Sequence, residues 1–571
     1  MQKRFLSLVL ALLLASPAWT AVQADTETPV FVSGLVPEKF TLTYSTEKPN
    51  INLFSLQAYY DARNYNYISS VKNQGVNGLC WAFATYGAVE ANMLKNGYPE
   101  QDLSELHMAY STSDRSGNFL QGFDREPGGG GNRYYALSYL MRGTNLSGAV
   151  DESQDPYDEY IHSEIQPRAL AATQSKKKKL TVLNMPFISG RGKADAYTAG
   201  LIKAAVLQYG AVAAEMYWDY ANVAWQEGTY YFNYADSGIS ANAANHVVLI
   251  IGWDDNFDKS KFREDKQPSS DGAWLIKNSW GTAGLSGYFW ISYEDTNFPQ
   301  SAYAIDGAEL YDSGENVYEY DYTWEGSRSF TESINGHTYY ARIFTVQTEG
   351  EWLKQVKVNI AAGTTVSVDI IPNFTNFNGY DSGSFSANTT KTFTYPGYYT
   401  IDLDSPVTLG AADSQFAVIV KVNTENGAVL GCDINWPAIY SAGSETANAY
   451  VLTQNRIWSD ARAENYSIKA VTVMQPKILG IKDIGVSGLK VDLKRPKQSG
   501  AILAVAFYQG KKLLGVKTKE ITESGEITVN DIELPPKADI IKAMMWSGMS
   551  AIQPICDIKA ASKINGKWIC N

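Results

Sequence analysis

The chain has 571 residues, which is several times the usual size of one folding unit and predicts about three domains. Hydrophobic residues make up 45% of it and charged residues 19%, a composition typical of globular proteins, so a disordered chain is excluded. The net charge of −12 produces a field that repels polyanions, which excludes nucleic acid as an expected partner.

The first 24 residues have the pattern of a signal peptide. Lys3 and Arg4 precede an apolar run from Phe5 to Leu14, and small residues lead to Ala24. The run is too short to span a bilayer, and no later segment offers the roughly 18 unbroken apolar residues that a membrane helix needs. We therefore expect a secreted protein without an integral membrane segment, with the periplasm, the cell surface and the medium all open as its location.

Residues 25–53 are polar and punctuated by proline, which predicts an extended N-terminal arm. Residues 54–310 combine helical periodicity with later apolar strand-like runs, which predicts an α+β domain. The predicted helices are Ala82–Asn96, one that opens at Ser104, Tyr134–Met141 and Ala199–Gln208. The predicted strands are Ala211–Met216, Val247–Trp253, Ala273–Lys277 and Tyr288–Tyr293. The basic run Lys176–Lys179 is expected to be a solvated loop.

After Tyr311 the chain changes to short alternating runs separated by Gly, Asn, Ser and Thr, which predicts β-sandwich structure. We assign residues 311–475 to one sandwich, with strands at Trp352–Ile360, Thr365–Ile371 and Phe416–Val422. Residues 476–571 are assigned to a second, smaller sandwich, with strands at Ala501–Tyr508 and Ile540–Met545.

Cys80 is the first candidate for chemistry. A glycine-containing turn that starts at Gln74 delivers Cys80 to the first turn of an apolar-periodic helix. The partial positive charge at a helix N-terminus stabilises a thiolate, and its free N–H groups together with the Gln74 amide suit an oxyanion. Cys432 is isolated in sequence, whereas Cys556 and Cys570 are close enough to join the two sides of a C-terminal loop.

His246 and Asn278 complete a candidate catalytic set. Of the four histidines, only His246 stands at the head of a predicted strand, where a side chain can point across a cleft. Asn278 follows another strand, and a short amide in that place can fix an imidazole tautomer without adding charge. Each of the three residues also has a structural interpretation, as a core cysteine, a strand-end histidine and a turn asparagine.

The blocks Gln-x5-Cys-Trp-Ala-Phe, Asn-His-Val-Val-Leu-Ile-Ile-Gly and Lys-Asn-Ser-Trp-Gly-Thr resemble, in order, the signature blocks of papain-family cysteine proteases. The resemblance covers roughly residues 55–305 and implies a two-lobed protease domain with Cys80 as nucleophile, His246 as acid–base, Asn278 as orienting amide and Gln74 as oxyanion donor. It further implies that Trp280 shields the Asn–His hydrogen bond. Gly130 and Gly131, within the run Gly128–Gly131, would hydrogen-bond an extended substrate, although a plain flexible loop is the alternative.

The sequence departs from the family pattern at several places. Asn77 stands where the family usually has a second cysteine tied in a disulfide, and Ala283-Gly284-Leu285 replaces the usual Trp-Gly pair, which alters the cleft wall. The family is commonly inhibited by a long helical propeptide, which the short arm 25–53 cannot contain. The arm is therefore expected to be either a strap on the domain or an extended plug in the cleft.

The remaining expectations concern ligands and competing functions. Residues 311–475 resemble the lectin-like sandwich that follows the protease domain in some bacterial relatives, which leaves a glycan or other cell-surface ligand open. The acidic stretch Asp254–Asp258 has Lys259 where a calcium loop needs glycine, so we expect a surface turn, no metal and no cofactor. The expected partner is a protein or peptide substrate. A catalytically silent adhesin and a cell-wall amidase or acyl-transferase are the alternatives.

Overall fold

The computed structural model describes most of the chain from residue 56 onward, together with a short piece of the N-terminal arm. The residues described are 33–35, 56–113, 123, 125–143, 148–189, 195–226, 229–232, 244–282, 286–311, 314–320, 326–327, 333–361, 363–424, 429–432, 448–461, 466–483, 489–495, 501–522, 525–546, 556, 558–564 and 567–570. The predicted signal peptide and the arm apart from residues 33–35 lie outside them.

The helices lie in the first half of the chain, as predicted. They are α1 (Cys80–Lys95), α2 (Glu105–Ser111), α3 (Arg133–Met141), α4 (Leu170–Gln174) and α5 (Ala196–Tyr209). Short 3-10 helices occupy Ala62–Tyr65, Glu152–Gln154, Asp158–Tyr160, Tyr220–Asn222, Lys259–Lys261 and Glu264–Lys266. The side chain of Ser104 accepts a hydrogen bond from the His107 backbone and caps α2, as its sequence context predicts.

A mainly antiparallel sheet packs beside the helices. Its strands are β1 (Tyr59–Asp61), β2 (Ala149–Val150), β3 (Lys178–Ser189), β4 (Val212–Met216), β5 (Val223–Gln226), β6 (Thr229–Phe232), β7 (His246–Asp254), β8 (Ala273–Lys277), β9 (Tyr288–Ser292), β10 (Ala302–Tyr303) and β11 (Asp306–Leu310). The order β3-β10-β4-β7-β8-β9-β6-β5 places β7 and β8 side by side near its centre. Helix α1 packs against β7, where Gly87 leaves room for Leu249: a Cβ at Gly87 would lie 3.0 Å from its side chain.

Two β-sheets enclose the next core. Their strands are β12 (Glu315–Tyr318), β13 (Gly326–Ser327), β14 (His337–Thr345), β15 (Glu351–Ile360), β16 (Thr364–Phe374), β17 (Thr389–Phe393), β18 (Gly397–Thr408), β19 (Gln415–Asn423), β20 (Gly431–Cys432), β21 (Ala449–Leu452), β22 (Trp458–Asp460) and β23 (Ile468–Met474). One sheet has the order β17-β16-β19-β14-β21-β22, and the other contains β12-β23-β15-β18. Alternate residues of both sheets fill the space between them, which confirms the predicted β-sandwich.

The two units share one sheet. Strand β18 pairs with β3, with Gly397 opposite Pro186 and Tyr398 opposite Met185, so the hydrogen-bonded ladder runs from the first unit into the second. The prediction that Lys176–Lys179 is a solvated loop is wrong for its second half, because Lys178 begins β3. Burial lowers the pKa of Lys178, whose surroundings include Glu315 and Glu319 of the sandwich.

The C-terminal segment forms another pair of sheets. Its strands are β24 (Lys477–Asp483), β25 (Leu489–Arg495), β26 (Ala501–Gln509), β27 (Lys512–Ile521), β28 (Gly525–Ile532), β29 (Ile540–Trp546), β30 (Lys559–Ile564) and β31 (Lys567–Cys570). They are ordered β24-β25-β28 and β27-β26-β29-β30-β31. The core between the sheets also includes Trp352 and Val473 of the preceding sandwich. The α+β domain followed by two all-β sandwiches is therefore the observed architecture.

No helix in the part of the chain that the structure describes has the length and apolar character needed to cross a membrane.

Candidate active site

Cys80 is the first residue of α1 and is completely buried. The preceding residue, Leu79, has no side-chain acceptor for the first N–H groups of the helix, so the positive end of the helix dipole faces the sulfur. Burial raises the pKa of the Cys80 thiol to about 11, although the backbone N–H groups of Val247, Gly34 and Trp81 act to lower it. This buried environment therefore favours the neutral thiol of Cys80.

His246 begins β7, and its ring is oriented by two neighbours from the segment after β8. Its Nε2 lies 2.9 Å from Oδ1 of Asn278, and its ring stacks on the indole of Trp280 with centroids 4.6 Å apart and planes inclined by 22°. Nδ1 is buried and has no hydrogen-bond partner among the described residues. Burial lowers the pKa of His246 to about 4, opposed by the Asn278 hydrogen bond, so the imidazole is neutral here.

Gln74 lies in the turn that leads to Cys80 and is held by several hydrogen bonds. The hydroxyl of Ser279 donates to its Oε1 at 2.6 Å, and its Nε2 donates to the carbonyl of Asn77 at 2.9 Å. Its backbone N–H donates to the Ser279 carbonyl at 2.8 Å, and the hydroxyl of Tyr157 donates to its carbonyl at 2.7 Å. These contacts fix the turn before Cys80 against the segment that carries Asn278.

Trp280 is itself packed by Trp218, a residue that the sequence patterns did not single out. The two indoles meet edge to face with centroids 4.7 Å apart. The Asn245 side chain holds the Trp218 backbone twice, with Oδ1 accepting from its N–H at 2.7 Å and Nδ2 donating to its carbonyl at 3.0 Å. Trp218 therefore packs against Trp280 and also lies beside His246, with the two ring centroids 6.4 Å apart. The predicted alteration of the cleft wall at Ala283-Gly284-Leu285 lies outside the described residues.

The glycine run Gly128–Gly131, the candidate substrate-binding wall, packs against the turn before Cys80 and against α1. The carbonyl of Gly128 accepts from the Gly78 N–H at 2.9 Å, and a Cβ at Gly131 would lie only 2.4 Å from the indole of Trp81. A side chain at Gly131 is thus excluded by contact, which agrees with a wall built from backbone.

A piece of the N-terminal arm, residues 33–35, lies between this glycine run and Asn245, the residue before His246. The Gly131 N–H donates to the Gly34 carbonyl at 2.8 Å, and the Leu35 N–H donates to the Asn245 carbonyl at 3.1 Å. Leu35 and Gly131 form a parallel bridge. A Cβ at Gly34 would lie 2.1 Å from the carbonyl carbon of Gly78, so only glycine fits at that point of the arm. The arm therefore contacts the glycine run and the segment that carries His246, and the Gly34 backbone lies within hydrogen-bonding reach of Cys80.

A largely buried cluster of charged side chains lies behind the candidate catalytic residues, although its member Asp102 is exposed. Lys72 Nζ is 3.1 Å from a carboxylate oxygen of Glu90, 3.1 Å from one of Glu105 and 2.8 Å from one of Asp102. Ser69 joins Glu90 to Lys277: its hydroxyl donates to Glu90 at 2.6 Å and accepts from Nζ of Lys277 at 3.0 Å. Because Lys277 directly precedes Asn278, this cluster supports the backbone that carries the amide.

The departure from the family pattern at Asn77 has a structural account. The Asn77 amide donates to the carbonyls of Tyr160 at 2.9 Å and Ser163 at 3.0 Å and accepts from the Ile165 N–H at 3.1 Å, so hydrogen bonds hold the segment at the position where the family usually has a disulfide-bonded cysteine.

The acidic stretch that begins at Asp254 is a turn region. The carboxylate of Asp255 accepts from Tyr293 and pairs with Lys203, while Asp254 and Asp258 accept backbone N–H groups nearby. Among the described residues no group of three or more His, Cys, Asp or Glu is arranged to hold a metal ion.

The site thus brings together a cysteine at a helix N-terminus, an imidazole, an amide hydrogen-bonded to that imidazole, and a second amide beside the cysteine. This set contains the groups required for covalent acyl transfer by a thiolate.

Comparison with known proteins agrees with this geometry. The model of the papain family cysteine protease matches residues 56–305, and the model of the lectin like domain matches residues 317–472. Mouse testin-2 is 28% identical over 251 residues, which cover 42% of this chain and 61% of testin-2. Mouse cathepsin K is 27% identical over 239 residues, which cover 42% of this chain and 60% of cathepsin K. The chain therefore spans about three fifths of the length of these relatives.

A crystal structure of the cysteine protease and lectin-like domains of Cwp84, a surface layer associated protein of Clostridium difficile, superposes with a TM-score of 0.61. It is 23% identical in sequence and covers 78% of this chain and 93% of its own. A structure of Cwp84 after propeptide cleavage superposes with a TM-score of 0.59 and is 23% identical in sequence. The match covers 73% of this chain and 99% of that structure's chain. At this identity the likeness concerns the fold.

Proposed function

We propose that this chain, whose residues 56–305 belong to the papain family of cysteine proteases and whose residues 317–472 form a lectin-like domain, is a secreted cysteine endopeptidase. The observation that carries the proposal is the hydrogen bond between His246 and Asn278 next to a cysteine that opens a buried helix. A core cysteine and a turn asparagine would not require this arrangement.

In the proposed reaction the Cys80 thiolate attacks the carbonyl carbon of a peptide bond, and His246 protonates the leaving amine as the C–N bond breaks. Gln74 and the Cys80 N–H stabilise the negative oxygen of the tetrahedral intermediate. Water then attacks the acyl-enzyme, with His246 taking its proton, and releases the carboxylic acid and the thiolate. Asn278 keeps the imidazole oriented, and Trp280 shields their hydrogen bond.

The arm is proposed to act as a plug that keeps the enzyme inactive. Gly34 lies against Gly78 and Cys80, where the substrate backbone would have to lie, and burial keeps both members of the Cys–His pair neutral. Release of the arm would admit water, lower the pKa of Cys80 and raise that of His246, which favours the reactive ion pair. The preparation of Cwp84 after propeptide cleavage is a precedent for removal of such a segment in a protein of this fold.

Export and surface attachment are the remaining parts of the proposal. The first 24 residues have the pattern of a signal peptide, and Cwp84, of similar fold, is a surface layer associated protein. The lectin-like domain is proposed to contact a glycan or another cell-surface ligand, since the family model that it matches is described as lectin-like. The substrate is proposed to be a protein or peptide, with no nucleic acid partner.

The test is hydrolysis of a mixed peptide library by the purified chain, before and after its arm is cut, with and without a thiol alkylator. Peptide cleavage that the alkylator abolishes is expected. Hydrolysis of cell-wall amide substrates alone would favour an amidase or acyl-transferase, and absence of hydrolysis in every state would favour a silent adhesin.

A further inference from the structure

The glycine run Gly128–Gly131 has no side chains with which to fix its own position. Its backbone N–H groups make few contacts: Gly129 donates to the Glu126 carbonyl at 2.9 Å, and Gly131 donates to Gly34 of the arm at 2.8 Å. Once the arm leaves, the Gly131 contact is lost. A wall that is to bind an extended peptide must be held in place by other groups, because loosely held backbone loses conformational entropy on binding.

Arg125 supplies that support from below. All five N–H donors of its guanidinium bond to oxygens of two neighbouring segments. Nε donates to the Gly130 carbonyl at 3.0 Å, and one terminal nitrogen donates to the carbonyls of Gly129 at 2.7 Å and Pro127 at 2.9 Å. The other terminal nitrogen donates to the Ala109 carbonyl and the Thr112 hydroxyl, both at 2.9 Å. Arg125 therefore ties the carbonyls of Pro127, Gly129 and Gly130 to the end of α2.

The same guanidinium reaches the nucleophile helix. Its central carbon lies 5.2 Å from the ring centre of Trp81, the residue after Cys80, and Gly131 packs closely on that indole. Arg125 is buried, and burial lowers the pKa of its guanidinium to about 10, opposed by Tyr135 and Glu126. Burying a cation is costly unless its N–H donors are satisfied. Here the donors bond to neutral oxygens, three of them carbonyls of the segment 127–130.

We propose that Arg125 is a positioning residue for peptide binding, which fixes the carbonyls of Gly129 and Gly130 and thereby holds the proposed substrate-binding glycines, Gly130 and Gly131, in register with Cys80 through Trp81. The inference rests on the proposed function and adds a residue outside the Cys–His–Asn set. Lysine cannot take its place, because an ammonium has three donors on one atom and cannot reach five oxygens arranged around a plane.

The experiment compares the rates at which two reagents alkylate Cys80 in the full chain. Every variant is measured under the conditions in which Cys80 of the wild-type chain reacts with iodoacetamide. A peptide epoxide must dock along the glycine wall, whereas iodoacetamide needs only the thiolate. For Arg125→Lys we expect the rate with the peptide epoxide to fall at least about tenfold, because charged hydrogen bonds that hold the glycine run are lost. The rate with iodoacetamide should stay within about twofold, because that reagent does not dock along the run.

Arg168→Lys is the matched control, because Arg168 is a partly buried arginine of the same lobe that pairs with Asp155 and does not touch the glycine run. It should leave the ratio of the two rates unchanged. Thr112→Val, a milder variant that removes one acceptor, should lower the peptide-epoxide rate about threefold and keeps the inference testable if Arg125→Lys does not fold.

Equal losses with both reagents, or no loss with the peptide epoxide in either variant, would overturn the inference. These outcomes differ from failure of the proposed function, which would show as a wild-type chain that reacts at Cys80 but hydrolyses no peptide.

Discussion

His246 and Asn278 share one hydrogen bond but differ in their proposed contributions to the reaction. His246→Ala removes the only proton carrier, so turnover should fall by about 10³-fold or more. Asn278→Ala leaves the imidazole in place but unoriented, so kcat should fall by about 10–100-fold with some activity retained. Steady-state kinetics on one peptide substrate measures both. Equal and small losses in the two variants would refute these roles.

The four proposed catalytic residues could be chosen from sequence because each lies in a local block whose helix or strand context is evident. Residues that act through long-range contacts could not. Arg125 and Trp218 stand in segments without periodicity, and their importance depends on which backbone carbonyls or rings the fold brings to them. Asn245 opens the block that contains His246, but its contact with the Trp218 backbone has no sequence signal. A buried arginine bonded to backbone oxygens has no sequence signal that separates it from an exposed one.

At the scale of elements, the arm is the part of the chain that the proposed regulation depends on. Gly34→Val should expel the arm without any cut, because its Cβ would lie 2.1 Å from the Gly78 carbonyl carbon. The uncut variant should then react with an alkylating reagent at pH 7, whereas the uncut wild-type chain should react slowly until the pH approaches the Cys80 pKa of about 11. Alkylation rates measured by mass spectrometry across this pH range test the prediction.

Ser33→Ala is the control for the arm, since Ser33 is exposed and its truncation should leave the slow reaction unchanged. Rapid labelling of the uncut wild-type chain at pH 7 would instead identify the arm as a strap that does not inhibit.

Lys72 neutralises the buried carboxylates behind the site, and its loss should make stability depend on pH. Burial raises the pKa of Glu105 from 4.5 to about 7, and Lys72 opposes this rise. A carboxyl whose folded pKa is raised contributes stability below its unfolded pKa and loses it as pH increases. Lys72→Met raises that pKa further, so the free energy of unfolding of the variant should be lower than that of wild type by about 3 kcal/mol at pH 8 and by clearly less at pH 4.5.

Thermal unfolding of both chains at the two pH values measures this difference. A loss of the same size at both pH values would contradict the account of the cluster.

Periodicity predicted the main helices and strands of the first domain because their apolar residues repeat at 3.6 or at 2. The bounds of α1 and β7 differ from prediction by one or two residues, since a cysteine and a histidine do not mark where an apolar run begins. The sequence predicts a solvated loop at Lys178, where the structure has the start of β3. A strand buried between two domains can begin with lysine when carboxylates lie nearby, here those of Glu315 and Glu319.

At the scale of the whole molecule, the protease and lectin-like domains are coupled through β3 and β18 and through a buried ion group. Glu319 lies 2.6 Å from Lys469 of its own domain and 4.0 Å from Arg142 of the protease domain. Although burial acts to raise the pKa of Glu319, Lys469 and Arg142 hold it below its ordinary value, so this stabilisation is lost as pH falls.

Glu319→Gln should therefore cost about 3 kcal/mol at pH 7 and make the two domains unfold at separate temperatures in calorimetry. Glu533→Gln removes an exposed partner of Lys517, and its free energy of unfolding should stay within about 0.5 kcal/mol of the wild-type value. An unchanged single transition for Glu319→Gln would show that the shared strand pairing couples the domains without this ion group.

The shared sheet could not be predicted from sequence, because the pairing of β3 with β18 joins residues more than two hundred positions apart and uses only backbone atoms. The order of the α+β and β domains was predictable, because the sequence pattern changes near Tyr311 to short alternating runs separated by Gly, Asn, Ser and Thr.

The most direct test of the central claim is to locate the adduct of a peptide epoxide on the chain after its arm is released. The account predicts one adduct, on Cys80, formed at pH 6 to 7, with parallel loss of peptide hydrolysis and no hydrolysis by Cys80→Ala. An adduct on Cys432 with Cys80 unmodified, or full hydrolysis by Cys80→Ala, would contradict it.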